Sequence, residues 1–80
     1  MALFDDVAAV IRNYFGQPDL KLTPESAAAD VRGWDSLAHA SLMIEIEKHF
    51  DIEFDLEEIM GFENVGEVAE TVSKHQAAAG

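Results

Sequence analysis

Apolar residues recur along this chain at helical spacing. Between Ala2 and Phe15, Phe4, Val7, Ile11 and the Tyr14/Phe15 pair stand three or four residues apart, which makes one apolar face of an amphipathic helix. Gly16, with Gln17 and Pro18 behind it, supplies the stop. From Gly16 to Asp35 the periodicity is weak. Thr23-Pro24-Glu25-Ser26 predicts a short turn of helix with Pro24 in the first helical position, prolonged briefly by the alanines that follow. Leu20 and Leu22 are expected to pin this long connection to the core. A connection of that length in a small domain is usually functional or mobile.

A second helix is predicted from Asp35-Ser36 to about His49 or Phe50. Leu42, Ile46 and Phe50 lie four apart on it, with Leu37 and Met43 beside them. The period then changes. Ile52 and Phe54 alternate with Asp51, Glu53 and Asp55, as in an extended connector carrying two buried plugs. Asp55 to Glu58 reads D-x-x-E, a capping box for a very short third helix ending near Gly61. Asn64 to Glu67 reads N-x-x-E and opens a fourth, whose apolar positions are Val65, Val68, Ala69 and Val72. The fold class is therefore all-α: a small bundle of three longer helices and one short one, with a long loop between the first two long helices. Residues 1–80 are expected to form a single domain whose tail, Gln76 to Gly80, frays.

Composition narrows the function. With 80 residues and no cysteine, the chain has one modest core, and neither disulfides nor a thiol nucleophile. Sixteen acidic residues against five basic ones leave a formal charge of -11. Such a surface repels nucleic acid and anionic membranes and favours proteins with basic patches, although acidity also serves plain solubility. Asp5 and Asp6 close behind Met1 do not read as a signal peptide. No apolar run is long enough to span a bilayer, so the cytoplasm is the expected compartment.

Several motifs fail on inspection. Asp51, Glu53, Asp55 and Glu57 mimic a calcium loop, but its sixth position is Leu56 and its twelfth is Phe62, where glycine and glutamate are required. His39, His49 and His75 make no zinc-ligand spacing and read as plain surface or boundary residues. Ser36 beside Asp35, with His39 following, invites a hydrolase reading. The nucleophile elbow G-x-S-x-G is absent, however, and a helical chain of this size offers little room for a water-excluding active site. No enzymatic activity is expected.

What remains is Gly33-Trp34-Asp35-Ser36-Leu37 at the start of the second helix. Asp35 is a good N-cap, which puts Ser36 in the first turn with its hydroxyl exposed. Unpaired N–H groups and the positive end of the helix dipole would tolerate a phosphoryl group there. Ordinary capping explains the same residues without any ligand. Asp35-Ser36-Leu37, followed by Leu42, Ile46-Glu47, Phe50, Ile52, Glu57-Glu58 and Val65, resembles the acyl carrier protein family over roughly Leu20 to Val72.

That resemblance implies 4′-phosphopantetheine on Ser36, transferred from coenzyme A by a phosphopantetheinyl transferase, with Asp35 and Leu37 flanking the attachment site. The arm's thiol would carry an acyl or aminoacyl group as a thioester between partner enzymes. It further implies a docking surface on the second helix contributed by Ala40, Ser41, Ile44, Glu45 and Glu47, beside Asp35 and Leu37. From Glu45 to Glu70 there are ten acidic residues and only Lys48 as a basic one, a bias that steers basic patches on a loading ligase or a downstream transferase.

Departures from the family pattern are also informative. Trp34 stands where fatty-acid carriers usually have a small residue, and Ser41 and Lys48 stand where they have acids. Phe54, Ile59 and Phe62 occupy the positions that line the acyl pocket, where smaller aliphatics are common. Bulk leaves less void in a close-packed bundle, so a short or polar cargo is expected. The W-D-S-L form also resembles stand-alone carriers of specialised pathways more than the housekeeping type. A monomer is expected, since one core consumes the apolar stripes. The competing account is an acidic helical interaction module that carries no prosthetic group.

Overall fold

In a computed structural model, residues 3–79 are described, with the side chain of Ala79 excepted. They form four α-helices: α1 (Leu3–Phe15), α2 (Ser36–Phe50), α3 (Leu56–Gly61) and α4 (Val65–Ala79). This is the all-α bundle that the hydrophobic pattern predicts. Ala2, expected at the start of the first helix, lies outside the described residues.

α1 packs against both α2 and α4. Its residues Val7, Ala8 and Ile11 meet Leu42, Met43 and Ile46 of α2 and Val65, Val68, Ala69 and Val72 of α4 in one core. Phe54 enters that core from the connector, and Leu22 and Val31 enter it from the long loop. Val31 has no partner in any periodic pattern, which is why the sequence does not single it out. Leu37 does not join the apolar stripe beside which the pattern set it: it is 78% exposed, because its position in the first turn lies off the Leu42–Ile46 line, and this leaves it free for the expected docking surface.

The ends of α1 and α2 share one geometry. Gly16 at φ 63° closes α1, with the Gln17 N–H donating to Arg12 O at 2.9 Å and the Gly16 N–H to Asn13 O at 3.2 Å. Asp51 at φ 56° closes α2 in the same way, with the Ile52 N–H donating to Glu47 O at 3.0 Å. Both are left-handed caps that satisfy terminal carbonyls.

The long loop is more ordered than its composition suggests. Pro24 and Glu25 form a turn, closed by the Thr23 N–H donating to Ser26 Oγ at 2.9 Å. The only helical turn in this loop is a 3-10 turn further on, at Ala28–Asp30. Pro24 thus initiates no helix. Its carbonyl instead accepts from the Gly66 N–H at 2.9 Å, and Ser26 O accepts from the Val65 N–H at 2.8 Å. With Asn64 Oδ1 accepting from the Glu67 N–H at 2.9 Å, the first three N–H groups of α4 all have partners. At its other end α4 runs on through residues 76–79 of the tail expected to fray, whose last residue, Gly80, lies outside the described residues. Alanine's high helix propensity accounts for the continuation.

Candidate functional site

The site is built from the start of α2. Asp35 has extended backbone geometry, and its Oδ1 accepts from the Ala38 N–H at 2.9 Å. The N-cap is thus the one read from the sequence. Ser36 is the first residue of α2 and is exposed, as are Asp35 and Leu37. Among the described residues, nothing bonds the N–H groups of Ser36 and Leu37. Two donors and the positive helix end therefore surround the hydroxyl, a chemistry that suits a phosphodiester. Gly33, at φ 90°, makes the turn that delivers the chain to this cap.

Trp34 and His39 complete the setting in a way the sequence reading missed. Trp34 Nε1–H donates to His39 Nδ1 at 2.9 Å, and His39 Nε2 lies 2.7 Å from Ile59 O. Indole nitrogen only donates, so His39 Nδ1 accepts and the ring proton sits on Nε2, which donates to the Ile59 carbonyl. The two rings meet edge to edge and nearly coplanar, with centroids 6.0 Å apart and planes 25° apart, and the Phe15 ring lies 5.6 Å from that of Trp34. The signal was present in the spacing. Trp34 precedes the cap and His39 is the fourth helical residue, the two positions that meet in a hydrophobic staple. Here the staple carries a hydrogen bond.

Ser36 opens onto a groove of about 530 Å³ between α2 and α3, walled by Trp34, His39, Leu56, Ile59, Met60 and Phe62. Two of the three expected cargo-pocket residues, Ile59 and Phe62, line it. Phe54 does not: it is 6% exposed, sits in the core, and supports Phe62 from behind at 5.3 Å between ring centroids.

The expected docking residues are brought together only in part. Leu37, Ala40, Ile44 and Glu45 are exposed, and Ser41 is half-buried among them. Glu47 lies apart, because its Oε2 accepts from the Phe54 N–H at 2.7 Å and holds the connector against α2. Leu56 and Met60 on α3, 69% and 77% exposed, add an apolar patch that the sequence reading did not anticipate. Among the described residues, no group of three His, Asp or Glu side chains could hold a metal, and no helix is long and apolar enough to cross a membrane.

Fold and site together define a helical domain that presents a serine at a helix start beside a groove. Residues 5–72 match the family described as "Phosphopantetheine attachment site". An acyl carrier protein of Helicobacter pylori strain J99 is 33% identical over 78 residues, spanning 98% of this chain and 100% of that protein. One from Clostridium perfringens is 30% identical over 73 residues, spanning 91% and 96%. The solution structure of a holo acyl carrier protein from Geobacter metallireducens superposes with a TM-score of 0.90 at 35% identity, covering 99% of this chain and 91% of that one. The chain belongs to the acyl carrier protein family. Its function is that of a non-catalytic carrier with a covalently attached 4′-phosphopantetheine. An interaction module without a prosthetic group is thereby set aside.

Proposed function

We propose that Ser36 is the residue that bears the phosphopantetheine and that the groove beside it receives a short or polar acyl group. One observation carries the reading: the only hydroxyl lining that groove belongs to an exposed serine in the first turn of α2. In loading, Ser36 Oγ attacks the pantetheine-bearing phosphorus of coenzyme A, its proton passes to a base on the transferase, and the pyrophosphate bond breaks to release 3′,5′-ADP. Asp35 fixes the helix start so that the hydroxyl faces outward, and the free N–H groups of Ser36 and Leu37 stabilise the negative phosphoryl end. Once attached, the arm supplies a thiol that holds the acyl group as a thioester.

Leu37, Ala40, Ser41, Ile44 and Glu45 form the proposed docking face. Glu47, tied to the Phe54 N–H, contributes charge more than contact. The partners are the phosphopantetheinyl transferase, a ligase that loads an acyl or aminoacyl group, and a transferase that receives it, each with a basic patch. These act in the compartment that holds coenzyme A, the cytoplasm, on a monomeric carrier. The bulk of Trp34 and Phe62 at the groove supports a cargo shorter than that of a housekeeping fatty-acid carrier. In this reading the chain serves a specialised pathway.

The test is intact mass before and after incubation with coenzyme A and a broad-specificity transferase. Wild type gains one phosphopantetheine and Ser36→Ala gains none, with unchanged helical circular dichroism. A gain on Ser36→Ala would move the attachment site elsewhere.

A further inference from the structure

Two cavities adjoin the start of α2. The outer groove, about 530 Å³, contains Ser36. A smaller, inner one of about 200 Å³ reaches Asn64, just ahead of α4, and Val68 of α4, and does not contain Ser36. Ala28, Trp34, His39 and Phe62 line both, and so form the wall between them. We propose that the Trp34–His39 pair sets the length of cargo that this carrier shelters, by holding that wall closed. The proposal rests on Ser36 as the attachment site and adds to it a residue-level determinant of chain length.

The pair is suited to the task because both imidazole nitrogens are engaged. Nδ1 accepts from the Trp34 indole at 2.9 Å, while Nε2 donates to Ile59 O on α3 at 2.7 Å. Rotating His39 out of the wall breaks both bonds at once and leaves an indole N–H and a backbone carbonyl unpaired in a part-buried setting. Phe15 of α1, its ring centroid 5.6 Å from that of Trp34, opposes the alternative motion, a swing of the indole toward α1. With the wall closed, an acyl chain entering from Ser36 fills the outer groove and then runs along Leu56 and Met60, which face solvent. Additional methylenes there gain little burial. With the wall open, the same chain continues inward to Val68, and each added methylene is removed from water.

His39 is thus a positioning residue for cargo, and its removal should lengthen the chain that the protein can bury. The experiment attaches two-carbon and eight-carbon acyl-4′-phosphopantetheine to Ser36 from the corresponding acyl-coenzyme A. It then compares melting temperatures of wild type, His39→Ala, His39→Gln and Trp34→Phe. Intact mass verifies each load. In wild type the eight-carbon form should melt within about 2 °C of the two-carbon form, whereas in His39→Ala the gap should widen to about 5 °C or more, the shift of a small domain stabilised by added burial. His39→Gln, which keeps one acceptor and one donor, should restore the wild-type gap. Trp34→Phe keeps an aromatic ring but loses the N–H donor together with part of the indole's bulk, and should behave as His39→Ala; it serves as the deciding variant if His39→Ala does not fold. In wild type and His39→Gln, emission from Trp34, the chain's one tryptophan, should be the same for both chain lengths, and in His39→Ala it should shift to the blue with the longer one. Equal gaps in wild type and the opened variants, large or small, would overturn the partition while leaving Ser36 as the attachment site. Absence of loading in the mass spectrum would instead overturn the attachment reading, and this inference with it.

Discussion

At Asp51 a single backbone angle decides more than the side chain does. Its φ of 56° closes α2 in the left-handed region, which disfavours any residue with a Cβ, and its carboxylate sits at the negative end of the helix dipole. Both terms oppose the native residue. Asp51→Gly should therefore raise stability by about 1 kcal/mol, read as a melting temperature higher by about 4–8 °C. A drop on thermal denaturation would mean that the exposed carboxylate has a compensating role. Asp35 is the opposite case, since its carboxylate lies at the positive helix end and caps the Ala38 N–H. Two aspartates of one helix are set against each other by position alone. His39 shows how far such reading goes: its position five residues after Trp34 is evident in the chain, but the hydrogen bond to Ile59 O is not.

Among the helices, α3 is the one held from outside itself. It has six residues and none is buried, so packing holds it only through the half-buried Ile59 against the core. Two histidines tie it down. His39 reaches it from α2 at Ile59 O, and His75 reaches it from α4, with Nε2 2.8 Å from Glu58 Oε1. The Asp55 N–H, donating to that same oxygen at 2.9 Å, does most to hold the Glu58 carboxyl below its ordinary value of 4.5, and His75 adds to it. A lowered folded value means that the fold favours the charged form. The stabilisation is complete above about pH 4.5, the ordinary value, and is lost as the pH falls through the lowered one. Wild type should thus melt above Glu58→Gln near neutral pH, and the gap should close on acidification below about pH 4.5. A gap that is constant with pH would remove the charge from this account.

The junction of the long loop with α4 gives a second prediction at this scale. A Cβ on Gly66 would lie 2.9 Å from Pro24 O and 3.0 Å from Pro24 Cβ, so alanine there pushes the loop off the helix. Helix propensity favours alanine by about 1 kcal/mol, but overpacking and the loss of the backbone bonds outweigh it. Gly66→Ala should lower stability by about 1–2 kcal/mol net, seen as a lower urea midpoint with faster amide exchange at Val65 and residue 66.

Over the whole molecule, we expect charge to govern encounter. The formal charge of -11 is spread over a body with a radius of gyration of 11.6 Å, so the acidic field reaches partners before contact. Steering of this kind is screened by salt. The apparent KM of a phosphopantetheinyl transferase for this carrier should rise on the order of tenfold between about 0.05 M and about 0.5 M salt, with kcat little changed. A salt-independent KM would leave the acidity to solubility alone.

The division between chain and fold follows from range. Helix faces, the Asp55–Glu58 and Asn64–Glu67 helix starts, the Gly16 stop and the Asp35-Ser36 cap depend on residues within about five positions of one another, and all were legible in the sequence. So was the family, because the D-S-L serine and its downstream core positions are likewise a matter of spacing. The Pro24 carbonyl on α4, Val31 in the core, Phe54 behind Phe62 instead of beside the groove, and Glu47 on the Phe54 N–H were not. Nor were the two histidine ties to α3, which join residues 20 and 17 positions apart. Periodicity specifies which side of a helix is apolar. It does not specify which carbonyl of another segment will stand opposite a given N–H, and that was decided only when the core brought the helices and the loop together.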